Sequence, residues 1–231
     1  MQNRLEGYKV DLTLLRLLQL VSPSLPVGAF AYSQGLEFAV HAGWIDDETT
    51  TRDWLQGQLS HGMATLDAPL ALRMYAALAQ SEHAKFLHWN EFLYAARESR
   101  QAQEQEQQTS RSLAKLLVSL GVESAQACLR LPRLCFASVF ILAAQQWRIE
   151  AHAAVQGMLW SWLENQCLAA VKLVPLGQTA GQRLLLASAA CIENIVQQAD
   201  EIPDEDIGNA LPMSCMAAVM HENLYSRLFR S

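Results

Sequence analysis

The chain has 231 residues, of which 51% are hydrophobic and 17% charged, and its formal net charge is -6. A chain of this length can bury a core that needs no disulfide or metal, so we expect a single domain over residues 1-231. The negative charge argues against nucleic acid as a partner, and the low share of charged residues predicts apolar surface that another protein covers.

The first hundred residues predict helices separated by short connections. Leucines and a valine at helical spacing predict a first helix that Pro23 ends, namely Leu14, Leu17, Leu18 and Val21. Residues 22–30 are punctuated by proline and glycine, which predicts an ordered loop. Further helices are predicted over residues 32–41, where Gly43 stops the helix, and from the capping residues 46–51 onward. The last two of this group are predicted over 66–79 and 82–95.

The middle of the chain changes character twice. Residues 97–112 are rich in Gln, Glu and Arg, which predicts either a solvated helix or a long polar connection. Leucines from 113 to 120 then restore an apolar face. Pro132 suits a first helical turn and predicts a helix over residues 134–146. Its most apolar run, Leu134 to Ala144, is about half of the roughly 20 residues that span a bilayer, so it predicts a buried helix.

The last third predicts two long helices and a tail. Helical spacing marks one helix around residues 155–163 and one last long helix around 184–195. An apolar, proline-bearing loop over 171–178 separates them, and the acidic segment 200–208 predicts a linker before a terminal helix. Because no segment alternates as a strand does, we expect an all-α, single-domain helix bundle with a flexible tail over 221–231.

The location of the protein follows from its cysteines and its amino terminus. The five cysteines form no C-x-x-C pair, which predicts reduced thiols that fill the core. Met1 to Lys9 is polar and of mixed charge, unlike a signal peptide. We therefore expect a cytoplasmic protein with no membrane segment.

Two further interpretations, one catalytic and one metal-binding, can be tested against the motifs in the sequence. Residues 31–35 loosely resemble a nucleophile elbow, so a serine hydrolase would use Ser33 with an acid near Asp206 and with His221; however, the elbow requires a preceding strand. A direct nickel-binding chaperone would need several clustered ligands. His221-Glu222 begins like H-E-x-x-H, but Tyr225 occupies the second histidine position. No phosphate-binding glycine loop is present.

One long segment resembles a known family. Residues 22–37, SPSLPVGAFAYSQGLE, are similar to the UreF family of urease accessory proteins. Further similar blocks follow in the family's order, at residues 67–73, 96–98, 171–178, 206–208 and 221–231. The resemblance therefore spans nearly the whole chain.

The resemblance implies an all-helical homodimer with no catalytic activity, no cofactor and no metal site of its own. It further implies that the chain binds the accessory protein called UreD or UreH. The two proteins together would recruit the GTPase UreG and deliver nickel to apo-urease. Neither nucleic acid nor a membrane is expected as a partner.

Eight residues are candidates for partner contacts. Lys172 either engages a carboxylate or phosphate of the GTPase or stabilises the end of a helix. The tail combines cationic and apolar anchors that suit docking, although an ordinary frayed terminus is the alternative; its candidates are Tyr225, Arg227, Leu228, Phe229 and Arg230. Gln34 and Glu37 lie at the start of the second predicted helix, and the sequence does not decide between a partner contact and a structural role for them. For Tyr32 the structural role is favoured.

Overall fold

The structure, a computed structural model, describes residues 12–208 and 211–231, so the amino-terminal segment interpreted above lies outside it. Within these two ranges every regular element is helical, which confirms the all-α fold class. None of the described helices is long and apolar enough to cross a membrane. The α-helices are α1 Leu12–Val21, α2 Leu36–His41, α3 Glu48–Gln58, α4 Asp67–Ala79, α5 His83–Ala95, α6 Arg100–Ser119, α7 Ala125–Cys128, α8 Phe136–Gln146, α9 Ala151–Leu173, α10 Gln178–Ala189, α11 Ile192–Glu201 and α12 Pro212–His221.

The core forms around α8 and α9. Residues 137–144 of α8 are all buried, as the apolar run in the sequence predicts for a helix that neighbours surround. Helix α9 is 23 residues long and packs against α1, α4, α8, α10 and α11. A second, smaller core forms between α2 and the end of α9, with Leu36, Ile45 and Ala170 among its members.

Helix α3 begins where the sequence predicts capping. Asp47 caps α3, because its carboxylate accepts a hydrogen bond from the Thr50 amide at 2.7 Å and the Thr50 hydroxyl accepts one from the Asp47 amide. At α6 the Ser99 hydroxyl accepts a hydrogen bond from the Ala102 amide and caps the helix without a reciprocal bond. The polar segment 97–112 therefore lies mostly in a helix, not in a connection. It is solvated on one side only, since Glu106, for example, is buried.

Two predicted helix starts are wrong by several residues. The helix predicted over 32–41 begins at Leu36, because Gln34 and Gly35 have left-handed φ values of 52° and 87°. The helix predicted over 134–146 begins at Phe136, so Pro132 lies before it. The Asn90 side chain holds residues 133–135 outside the helix, because it donates a hydrogen bond to the Arg133 carbonyl and accepts one from the Cys135 amide.

The predicted connections and patterns in the last third also differ. Helix α9 continues to Leu173 and α10 begins at Gln178, so the proline-bearing connection shrinks to residues 174–177. The last long helix predicted around 184–195 is broken into α10 and α11. At the break, the Cys191 amide bonds to the Ser188 carbonyl, three residues back, as in a tightened turn.

The acidic segment 200–208 is anchored to the body of the protein. Helix α11 extends into it as far as Glu201, and a short 3₁₀ turn follows at Asp204–Asp206. Arg73 of α4 donates to the Asp204 carboxylate at 3.0 Å, to the Ala199 carbonyl at 3.3 Å and to the Ile202 carbonyl at 2.5 Å. One guanidinium thus fixes the path from α11 toward α12.

Apolar side chains are exposed at several places of the described structure, among them α1 and α12. In α1, Leu17 and Val21 pack against the core, but Leu14 and Leu18 are each 54% exposed, so the four residues predicted on one face are divided between two. In α12 the exposed side chains are Met213, Met216, Val219 and Met220. The apolar surface that the composition predicts is therefore present.

Candidate docking site

The tail after α12 folds back along residues 31–34. The Arg230 amide donates to the Ala31 carbonyl at 2.8 Å. The Ser231 carbonyl accepts three hydrogen bonds, from the Ser33 amide at 2.5 Å, the Gln34 amide at 3.1 Å and the Ser33 hydroxyl at 2.8 Å. The structure thus differs from the expectation of a flexible tail, because the loop in front of α2 supplies donors that satisfy the tail backbone.

The left-handed turn before α2 makes this arrangement possible. Gly35 has a φ of 87°, and a Cβ atom at this position would lie 3.0 Å from both the Ala217 Cβ and the Ala218 nitrogen of α12. Glycine therefore allows the start of α2 to touch the backbone of α12. The sharp turn also directs the amides of residues 33 and 34 toward the end of the tail.

The Glu37 carboxylate binds the tail at a second point. One oxygen accepts a hydrogen bond from the Leu228 amide at 2.6 Å, and the other accepts one from the Phe229 amide at 3.0 Å. The His221 ring nitrogen Nε2 lies 2.7 Å from the second oxygen. Because both backbone amides donate to the carboxylate, we assign to Nε2 the proton that completes the set.

Phe229 is the apolar anchor of the tail. Its ring is buried in the smaller core, against residues of α2 and the end of α9. The Lys172 ammonium lies 5.8 Å from the centre of the ring, within the range of a cation–π contact. The Lys172 side chain is itself exposed. It therefore covers the anchor and still presents its charge at the surface.

Other tail side chains point outward. Tyr225 is fully exposed and Leu228 is 65% exposed, and Arg227 is exposed between them. Arg230 donates to the Gln108 side-chain oxygen at 3.0 Å, and the Tyr32 hydroxyl donates to the same oxygen at 2.6 Å. The structural role expected of Tyr32 is thus present in the structure. These exposed side chains follow α12 in the chain, and that helix also exposes apolar side chains.

The structure places Gln34, Glu37 and Lys172 against the tail that carries the other five candidates, and it gives the eight residues different tasks. Glu37 and Phe229 are buried and hold the tail. The Gln34 side-chain oxygen accepts a hydrogen bond from the Trp162 indole at 2.6 Å, so this amide also serves an internal contact. The exposed members, which a partner can reach, are Lys172, Tyr225, Arg227, Leu228 and Arg230.

The hydrolase arrangement is not formed. Ser33 is fully buried and its hydroxyl donates to the Ser231 carbonyl, while His221 pairs with Glu37. Among the described residues no hydrogen bond joins Ser33 to His221, so the base could not activate the nucleophile. For metals, no three His, Cys, Asp or Glu side chains within residues 12–208 and 211–231 are grouped so that they could hold an ion.

A buried charge cluster lies beneath the site. A cavity of about 270 Å³ extends from Tyr32 and Ser231 to Arg97. The Arg97 guanidinium donates to both oxygens of Asp67 and, at 2.7 Å, to Glu106. Burial lowers the pKa of Arg97, but the two carboxylates more than offset this and raise its pKa well above the ordinary value. Arg97 thus ties α4 to α6 and is not a free cation for a ligand.

Sequence reasoning missed the partners of the tail. The sequence suggests His221 only as the histidine of a hydrolase or as half of a metal motif, and Gln108 only as part of a polar run. Their contacts with Glu37 and Arg230 join residues 184 and 122 positions apart. No local pattern contains such pairs, so only the fold reveals them.

Comparison with known proteins gives one consistent result. The sequence model of the family described as UreF matches residues 45–189, which include Lys172 but not the tail. The chain is similar to urease accessory protein UreF 2 of Brucella anthropi, with 46% identity over 95% of this chain and 97% of the relative. It is also similar to urease accessory protein UreF of Hahella chejuensis, with 44% identity over 95% and 99% of the two chains. The same protein of Alkalilimnicola ehrlichii is 43% identical over 94% and 95%.

Proposed function

The chain belongs to the UreF family of urease accessory proteins, and we propose on this basis that it is a non-catalytic scaffold for nickel insertion into apo-urease. In this proposal a UreD-type or UreH-type accessory protein binds the chain, and the pair recruits the UreG-type GTPase in the cytoplasm. The chain acts as a homodimer and takes no cofactor. The family resemblance and the exposed apolar surfaces of α1 and α12 support this proposal.

The observation that carries the proposal is the outward face of the tail. Tyr225 and Leu228 expose large apolar groups on a segment whose backbone is already bound to the body. Aromatic and arginine side chains supply much of the binding energy in protein interfaces, and Arg227 lies between the two apolar groups. The neighbouring methionines of α12 are flexible and fit irregular partner surfaces. We assign this face to the UreD-type partner.

Lys172 is assigned to the GTPase. Its ammonium is exposed at the end of α9, and the ring of Phe229 limits the positions that it occupies. A lysine ammonium acts as a point charge toward phosphate or carboxylate, the groups that a nucleotide-binding partner exposes. Docking of the tail and the placement of this charge are therefore linked in the proposal.

A binding measurement with the purified UreD-type protein tests the assignment of the tail. We expect the double variant Tyr225→Ser and Leu228→Ser to bind about thirtyfold more weakly, because two anchor side chains are lost. The matched control is Leu186→Ser in α10, which removes a leucine that is 77% exposed on another helix and should leave affinity unchanged.

Two results would contradict the proposal. One is that the unaltered chain fails to bind the UreD-type protein at micromolar concentration. The other is that the double variant binds as tightly as the control. Circular dichroism should be the same for all three proteins, since the replaced side chains lie on the surface.

A further inference from the structure

We propose that Glu37 and His221 are positioning residues, which hold the tail in the conformation that the accessory partner binds without touching the partner themselves. The inference rests on the proposed function, because it needs the tail to be the docking surface. It assigns to Glu37 an indirect role in place of the direct contact considered from the sequence.

Burial is the first observation. The His221 side chain is completely buried and the Glu37 side chain is 11% exposed. A partner that covers Tyr225 and Leu228 therefore meets the tail and not this pair. Any effect of the pair on binding must pass through the position of the tail backbone.

The geometry of the two amides is the second observation. Leu228 and Phe229 lie in a bend of the tail, where the amides of both residues face the same carboxylate. Glu37 holds the amides of both Leu228 and Phe229, so it fixes the orientation of this step of the chain. In this conformation Phe229 is buried in the smaller core and Leu228 is 65% exposed. The carboxylate thus decides which of two adjacent apolar side chains a partner can reach.

His221 fixes the carboxylate in turn. It is the last residue of α12, and its ring joins that helix to α2 through the Nε2 contact of 2.7 Å. The other ring nitrogen, Nδ1, is buried with no hydrogen-bond partner among the described residues. Burying an unpaired nitrogen is unfavourable, so the bond to Glu37 must offset that cost. Among the described residues, the imidazole therefore forms a hydrogen bond through Nε2 only.

The physical effect of the pair is preorganisation. A tail that is already ordered loses less conformational entropy when a partner binds. If only a fraction of the molecules hold the tail in place, the apparent affinity equals the intrinsic affinity multiplied by that fraction. Release of the tail should therefore weaken binding even though every contacting side chain is unchanged.

The test compares two amides at position 221 in the full-length chain. The side-chain nitrogen in His221→Gln reaches the position of Nε2 and can donate to Glu37, whereas that in His221→Asn reaches only the position of Nδ1. Both replacements are polar, uncharged and smaller than imidazole, so general destabilisation is similar. A third variant, Glu37→Gln, removes the charge that the three donors share.

Two readouts are needed for each variant. The affinity for the purified UreD-type protein reports docking, and hydrogen exchange at the Leu228 and Phe229 amides reports the state of the tail. Exchange in the buried helix α8 is the internal reference for folding. We expect His221→Asn and Glu37→Gln to bind about tenfold more weakly, with faster exchange at the two tail amides and unchanged exchange in α8. His221→Gln should resemble the unaltered chain in both readouts.

The outcomes separate this inference from the proposed function. If the unaltered chain does not bind the UreD-type protein, the proposed function fails and this inference fails with it. If the unaltered chain binds and His221→Asn releases the tail without loss of affinity, the inference alone is overturned. Equal loss of affinity in His221→Gln and His221→Asn would also overturn it, since the reach of the donor would then be irrelevant.

Discussion

Three of the five cysteines are buried in the core, and burial changes their acidity. Burial raises the pKa of Cys128 from 9.0 to about 11 and that of Cys167 to about 12, and it raises the pKa of Cys135 further. These thiols therefore stay protonated at neutral pH and behave as small apolar side chains, as the sequence predicts. Thiolate chemistry at these positions is suppressed.

The same shifts predict a loss of stability at alkaline pH. Above pH 9 the unfolded chain releases thiol protons that the folded chain retains, so the free energy of unfolding falls as the pH rises from 9 toward 12. Cys128 alone accounts for about 3 kcal/mol of this fall. In Cys128→Ala, the free energy of unfolding in urea should differ less between pH 8 and pH 10.5 than it does in the unaltered chain. A variant of the half-buried Cys191 is the control. If the free energy of unfolding changed equally with pH in both variants, the assignment of the fall to Cys128 would be contradicted.

At the scale of elements, the contact between α2 and α12 can be tested through glycine. Gly35→Ala forces a residue with a left-handed φ and also a Cβ atom against the backbone of α12. Gly43→Ala imposes the left-handed strain alone, because no atom lies within 4 Å of its added Cβ. We expect Gly35→Ala to be less stable by about 2 kcal/mol than Gly43→Ala in urea unfolding. Equal stability would show that α2 moves away from α12 at no cost.

The helices of this protein were largely predictable because their signals are local. Asp47 with Thr50 predicts the start of α3, and the apolar run at 134–144 predicts the buried helix α8. The errors occur where distant residues decide the conformation. Asn90 delays the start of α8, and α12 packs against the turn at Gly35, where α2 begins later than predicted.

The sequence proposes members for the candidate site, and their part in binding a partner stays a prediction. The composition of the tail predicts apolar and cationic anchors, and the resemblance favours a partner contact at Lys172, whereas a contact or a structural role was open for Gln34 and Glu37. Whether a side chain faces inward or outward depends on contacts between α2, α9 and the tail, which no local pattern contains. Phe229 and Leu228 are adjacent and both apolar, yet only the first is buried.

At the scale of the whole molecule, the described residues offer surfaces and no ligand cluster. We expect calorimetry of the isolated chain with nickel to show weak binding or none, because no three candidate ligands converge within residues 12–208 and 211–231. Tight, stoichiometric binding of nickel in this titration would contradict the prediction and favour a direct nickel carrier. Replacement of His221 by Gln is a useful control, since it removes the most buried imidazole.

The position of Phe229 in the chain has a consequence for synthesis on the ribosome. The other members of the smaller core, from Leu36 to Val174, emerge well before it. During translation the smaller core therefore stays uncovered until Phe229 has been synthesised and can pack against it. Any product interrupted before Leu228 keeps the patch open and lacks the outward leucine as well, so partner capture would favour molecules that contain the tail over those that lack it.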